Sequence, residues 1–172
     1  MTQELIDLRT SILEGRYEDA LAIVDELEGM SKQAVLRNIQ SYLERMLTHL
    51  IKAFVEQRLT NSWAASIKDS LIQIKRLNLK ENKKSYYIKA DEWEEMLAES
   101  LKLAITTASV EVMNGNLSPF QLSEMVDKPQ IKQTAKMFLD LTYAHSSSDL
   151  SDLIDENLAQ LPGGENWKEG RR

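Results

Sequence analysis

The chain has 172 residues, 42% hydrophobic and 28% charged, with a formal net charge of −6. That length suffices to bury a real core in one domain, and the mix is too apolar for a disordered chain. Six Gly and three Pro leave little material for the turns of an all-β fold, and the lack of Cys excludes disulfides, zinc–thiolate sites and cysteine nucleophiles. No basic segment leads into an apolar stretch at Met1–Glu4, and no apolar run approaches the roughly 20 residues of a membrane helix, so a soluble, cytoplasmic protein with no membrane contact is expected.

Residues 3–14 are predicted as a first helix with Leu5, Leu8, Ile12 and Leu13 on one side, interrupted by Gly15. Tyr17 to Glu28 reads as a second, through Ala20, Leu21, Val24 and Leu27, with Gly29 as its C-terminal stop. Ser31 then caps the longest helix, on which Val35, Leu36, Ile39, Tyr42, Leu43, Met46, Leu47, Leu50, Ile51, Phe54 and Val55 make a wide apolar stripe reaching toward Arg58. Asn61 or Ser62 caps the next, which carries Trp63, Ile67, Leu71, Ile74 and Leu77. Asn78 to Ser85 is a polar, basic loop, and Tyr86-Tyr87-Ile88 a short extended piece. Asp91 with Glu94 has capping-box spacing and opens a helix through Trp93, Leu97, Leu101, Ala104, Ile105, Ala108 and Val112, closed by Gly115. Ser118-Pro119 starts a short helix to about Asp127, Pro129 opens another through Ile131, Ala135, Phe138, Leu139 and Thr142, and a last one spans about Asp149 to Leu161. Order is expected to end at Pro162-Gly163-Gly164, leaving 162–172 as a disordered tail. The expected fold is all-α: an irregular helical bundle of about seven or eight helices around one long central helix, forming a single domain over 1–161. Gly115 to Pro129 is the best place for a subdomain joint.

Charge is uneven along the chain. Glu4, Asp7, Glu14, Glu18, Asp19, Asp25, Glu26 and Glu28 make the beginning acidic, whereas Lys68, Lys75, Arg76, Lys80, Lys83, Lys84 and Lys89 make the middle basic. Charge runs of this kind are most simply solvated helix faces. Glu14 to Leu21 has the look of one tetratricopeptide turn, with Gly15, Tyr17 and Ala20 at packing positions, but position 49 is His and the pattern does not recur. His49 sits at the border of the long stripe, one turn from Arg45, and His145 lies near a helix end; neither has the partners that catalysis or metal binding requires, so both read as structural. Arg45 and His49 suggest, by residue type, the Arg-and-His pair of helical ribonuclease toxins, in which His moves a proton and Arg steadies phosphorane charge. Only three residues separate them here, which is too few for that pattern. Phosphate loops, nucleophile elbows and zincin motifs are lacking, the acidic pairs are helix-surface neighbours, and Met46 and Met96 fall in core-facing runs.

From Ile12 to about Leu77 the chain resembles an uncharacterised bacterial family, abundant in cyanobacteria, that is number twenty-nine among the domains of unknown function. The resemblance is carried by Glu14-Gly15-Arg16-Tyr17-Glu18, then Glu26 to Ser31, then Leu47-Thr48-His49-Leu50-Ile51-Lys52, with Arg58, Ser62-Trp63 and Ser66-Ile67 completing the order. It implies an all-helical fold with no established activity, cofactor or catalytic residue, and it singles out His49, Lys52, Arg58 and Trp63 as recurring positions. Trp63, large and with one N–H to satisfy, suits a lock at the corner between two helices.

With apolar stripes, an acidic half beside a basic one and no catalytic constellation, the leading expectation is a non-enzymatic protein-interaction module: an adaptor, a neutralising partner or a self-associating chain. The alternative is a nucleic-acid-binding regulator that uses the basic segment 68–89, chiefly Lys75, Arg76, Lys80, Lys83 and Lys84, with Tyr86 and Tyr87 as stacking groups. A hydrolytic or RNA-cleaving enzyme around Arg45 and His49 ranks third. No cofactor or metal is implied.

Overall fold

The stripe that begins at Val35 does not start a helix of its own. In the computed structural model, which describes residues 1–171, one continuous helix, α2, runs from Tyr17 to Glu56 over 40 residues. The expected break at Gly29 and the expected cap at Ser31 are therefore corrected. Gly29 has nothing near it and a helical backbone, and a helical Gly costs only about 1 kcal/mol relative to Ala. That is too little to stop a helix whose neighbouring turns carry strong helix formers and no Pro.

The all-α expectation holds: the described residues form eight α-helices, a short 3-10 turn and one isolated β-bridge, Leu79 to Tyr86. The chain divides into two compact units, Met1–Asn38 and Ile39–Arg172, where the sequence reading puts one domain over 1–161. None of the helices is long and apolar enough to cross a membrane.

The first unit is a helical hairpin of α1 (Gln3–Leu13) and the opening turns of α2. Gly15, at φ 73°, reverses the chain, and the Arg16 N–H donates to the Ser11 carbonyl at 2.8 Å. Only small residues, Ser11 and Ala20, are buried here. Leu5, Ile6, Ile12, Leu13, Tyr17, Leu21, Val24 and Met30 remain exposed.

In the second unit, α2 from Ile39 onward is the centre. Ile39, Leu43, Met46, Leu47, Leu50, Ile51 and Ala53 are fully buried, each of the larger ones contributing roughly 1.5–3 kcal/mol of apolar burial. The other members are α3 (Asn61–Asn78), α4 (Glu94–Ser109), α5 (Pro119–Met125), α6 (Lys128–Ala144), α7 (Ser147–Leu158) and α8 (Gly164–Lys168). Helix α3 packs on α6 and α7, and α4 packs on α5 and α6. Thr60, rather than Asn61 or Ser62, caps α3 by accepting from the Trp63 N–H at 3.1 Å. Ser118 forms a full capping box with Gln121, Asp127 caps α6, and Ser146 caps α7.

Two further expectations change. The Asp91–Glu94 box does not form: α4 starts at Glu94 after Trp93, whose ring is fully buried and whose indole N–H donates to the Tyr143 hydroxyl at 2.7 Å. The same hydroxyl donates to the Ile88 carbonyl at 2.6 Å, while Asn78 bridges the Ile88 N–H (2.7 Å), the Ile88 carbonyl (2.9 Å) and Tyr143 (3.0 Å). This buried network fixes the Tyr86–Ile88 segment that lacks a sheet. Within 162–172, where the sequence reading ends order, the structure has α8. Gly163, at φ 75°, lies so close to the α2–α3 corner that a Cβ there would be 2.4 Å from the Arg58 Cα. Trp167 donates its indole N–H to the Asn61 side chain at 3.1 Å.

Candidate functional site

The end of α2 and the start of α3 bring His49, Lys52, Arg58 and Trp63 to one corner. Lys52 and Trp63 touch because α2 stops at Glu56, Gln57 takes a left-handed backbone (φ 52°), and the Thr60 cap starts α3 a few residues later. The Lys52 ammonium lies 5.7 Å from the Trp63 ring centre and the Arg58 guanidinium 4.8 Å from it, both within cation–π range. Arg58 is itself exposed and donates to Glu56 at 3.1 Å. Lys52 is almost wholly buried and pairs with Glu111, a residue 59 positions away. Burial pushes the Lys52 ammonium below the ordinary lysine range, and Glu56 nearby pulls the other way.

His49 lies one turn before Lys52. Burial, then the positive charges of Lys52 and Arg45, lower its pKa from 6.5 to about 4, so the imidazole is neutral at physiological pH. Its Nδ1 is buried without a hydrogen-bond partner. Arg45 is committed elsewhere: its guanidinium donates to the Ser70 hydroxyl at 2.9 Å and the Ser66 carbonyl at 3.3 Å, pairs with Asp69, and stacks 5.4 Å from Tyr42. That pairing holds the Asp69 carboxyl below its usual range. The three partners of the Arg45 guanidinium, Ser66, Asp69 and Ser70, all lie on α3, and His49 is not among them. Among the described residues, no three His, Asp or Glu side chains converge in a way that holds a metal ion.

The basic segment is divided between structure and surface. Lys68 pairs with Asp155 of α7 at 2.8 Å, and Lys75 donates to the Thr142 carbonyl near the end of α6 at 2.8 Å. Arg76, Lys80, Lys83 and Lys84 are exposed. Lys80 sits 5.4 Å from the Tyr87 ring, and Tyr86 packs edge-on against Tyr143 with centres 4.7 Å apart. Both tyrosines are half-buried, Tyr86 packed on α6 through Tyr143 and Tyr87 beside Lys80.

A family model described as Domain of unknown function DUF29 matches residues 16–130. The chain belongs to the DUF29 family. No curated protein and no solved structure matches it. The DUF29 match runs well past Leu77, where the sequence resemblance fades, and takes in Glu111 as well as His49, Lys52, Arg58 and Trp63. Sequence reasoning missed Glu111. A lone Glu near a helix end carries no spacing signal, and its link to Lys52 exists only in the folded chain. Asn78 and Tyr143 escape for the same reason.

Proposed function

We propose that this DUF29 chain is a non-enzymatic interaction module whose N-terminal hairpin takes up a basic amphipathic helix of another protein. The observation that carries this reading is the exposed apolar surface of Met1–Asn38, where Leu13 is 77% and Leu21 63% exposed in a unit that buries little beyond Ser11 and Ala20. So many exposed large apolar side chains in one small unit are unusual for a surface that stays in water. Their surroundings specify the partner's charge. Glu4, Asp7, Glu14, Glu18, Asp19, Asp25, Glu26 and Glu28 flank the apolar residues, and Arg16, one of the few basic groups, is already paired with Glu14 and Asp19. Exposed apolar side chains interspersed along the chain with carboxylates suit a helix with leucines on one face and lysines beside them.

The test uses a synthetic 18-residue Lys/Leu amphipathic peptide as probe, with calorimetry at two salt concentrations. Binding at low salt, weakened at least tenfold by Leu13→Glu with Leu21→Glu and weakened again by added salt, supports the reading. Binding indifferent to both changes sinks it. A light-scattering mass that falls from dimer to monomer in the double variant would replace the basic helix by a second copy of the chain and overturn the assignment.

A further inference from the structure

Lys52 combines features that a purely structural lysine does not need together. Its side chain is 4% exposed, yet the carboxylate that pairs with it, Glu111, is 63% exposed. The partner of a buried cation is thus a side chain that solvent reaches. The segment that carries Glu111 is under backbone strain. Met113 (φ 52°), Asn114 (φ 60°) and Gly115 (φ 73°) follow one another in the left-handed region, which Gly enters freely, Asn tolerates and Met avoids at a cost of about 1 kcal/mol or more. Strain of this kind persists only where contacts hold it. The contacts of this turn include the buried Val112 side chain, the Glu111 N–H bond to the Ala108 carbonyl at 3.0 Å, the Asn116 N–H bond to the Met113 carbonyl at 3.3 Å and the Glu111–Lys52 pair; Met113 is exposed.

The remaining groups around Lys52 leave the charge balance favourable to an incoming anion. His49 is neutral, and Arg58 beside the Trp63 ring pairs with Glu56, so the Lys52 charge is left unbalanced once Glu111 leaves. We propose that Lys52 is an oxyanion-binding group, filled at rest by the tethered Glu111 carboxylate and open to a phosphate or carboxylate group from outside when the Val110–Gly115 turn lifts away. Glu111 competes as an intramolecular ligand, so the intact chain binds free oxyanions weakly, and removal of its charge exposes the full affinity. A partner protein that presents an acidic or phosphorylated side chain would displace Glu111 and let the turn relax in the same step.

The experiment compares thermal unfolding of the full chain, Glu111→Gln, and Lys52→Met with Glu111→Gln, in phosphate, in acetate, and in chloride of matched ionic strength. Phosphate or acetate raising the melting temperature of Glu111→Gln by several degrees, with half-saturation at least tenfold below that of the unsubstituted chain and no rise in the double variant, supports the proposal. Whichever of the two salts acts more strongly assigns the headgroup. An anion response in Glu111→Gln no larger than in the double variant overturns it. Should Glu111→Gln not fold, the Trp63 indole NMR signal of the unsubstituted chain takes its place during a phosphate titration. A saturating shift lost in Lys52→Met supports the site, and a shift that is absent or shared by Lys52→Met overturns it.

Discussion

Replacing Gly163 by Ala tests how α8 is joined to the rest of the second unit. The new Cβ would stand 2.4 Å from the Arg58 Cα, 2.8 Å from the Leu59 N and 2.9 Å from the Arg58 carbonyl carbon. All three are backbone atoms, so no side-chain rotation relieves the overlap. Two terms add. A left-handed backbone costs an Ala about 1 kcal/mol more than a Gly, and forced overlap in a packed region costs roughly 1–3 kcal/mol. The sum is ~2–4 kcal/mol, which with a urea slope of about 2 kcal/mol per molar lowers the unfolding midpoint by ~1–2 M. Gly170→Ala is the control, because Gly170 has the same backbone sign (φ 72°) with nothing within 4 Å and therefore carries only the first term. Urea unfolding followed by far-UV circular dichroism measures both. Equal losses in the two variants, within about 0.5 kcal/mol, would refute the close-approach argument. Faster proteolysis near Trp167 with an unmoved midpoint would refute the claim that α8 belongs to the cooperative fold.

Asn78→Ala removes three hydrogen bonds in a buried network and leaves the Ile88 N–H unpaired, so calorimetry should show a loss of ~2–4 kcal/mol, a drop in melting temperature of several degrees. His49 makes stability depend on pH: its folded pKa, about 4, lies below the unfolded 6.5, so its contribution is complete above pH 6.5 and disappears as pH falls toward 4. A shift of that size corresponds to ~3 kcal/mol at full burial, and solvent at the partly exposed ring reduces it to ~1–2 kcal/mol. His49→Phe should flatten the stability profile over that range, measured by urea titrations at stepped pH; an unchanged slope would assign it to other groups. Leu13→Ser with Leu21→Ser should leave the unfolding free energy from urea titration within the range of ordinary surface changes, about ±0.5 kcal/mol, because neither side chain is buried. Arg45→Lys should cost ~1–2 kcal/mol in urea unfolding, since an ammonium cannot span Ser66, Asp69 and Ser70 at once.

What the sequence conveys is the part of the fold written in periodicity. The stripe from Ile39 to Ile51, the Ser118-Pro119 start and the run from Ile131 to Thr142 lie where the 3.6-residue repeat puts them, because each is decided by which face must be buried. Local punctuation misleads where the surrounding helix or tertiary contacts outweigh it. Gly29 reads as a stop and is crossed by α2; Asp91 reads as a cap and yields to Trp93, whose indole is held by Tyr143. Pro162-Gly163-Gly164 reads as the end of order, yet those glycines are small because backbone passes against backbone. At the α2–α3 corner, His49, Lys52, Arg58 and Trp63 are legible through resemblance and local spacing. Glu111 is not, since a contact across 59 residues leaves no trace in either segment alone.

The contact between Trp167 and Asn61 spans 106 residues of chain, and Gly163 meets Arg58 across a similar distance. A polypeptide emerges from the ribosome in order, so α2 and α3 meet at their corner long before α8 exists to cover it. During that interval the Arg58–Leu59 backbone faces solvent, or whatever binds nascent helices. Closure of this corner by α8 therefore cannot precede the synthesis of Gly163, which follows that of Arg58 by 105 residues (163 − 58).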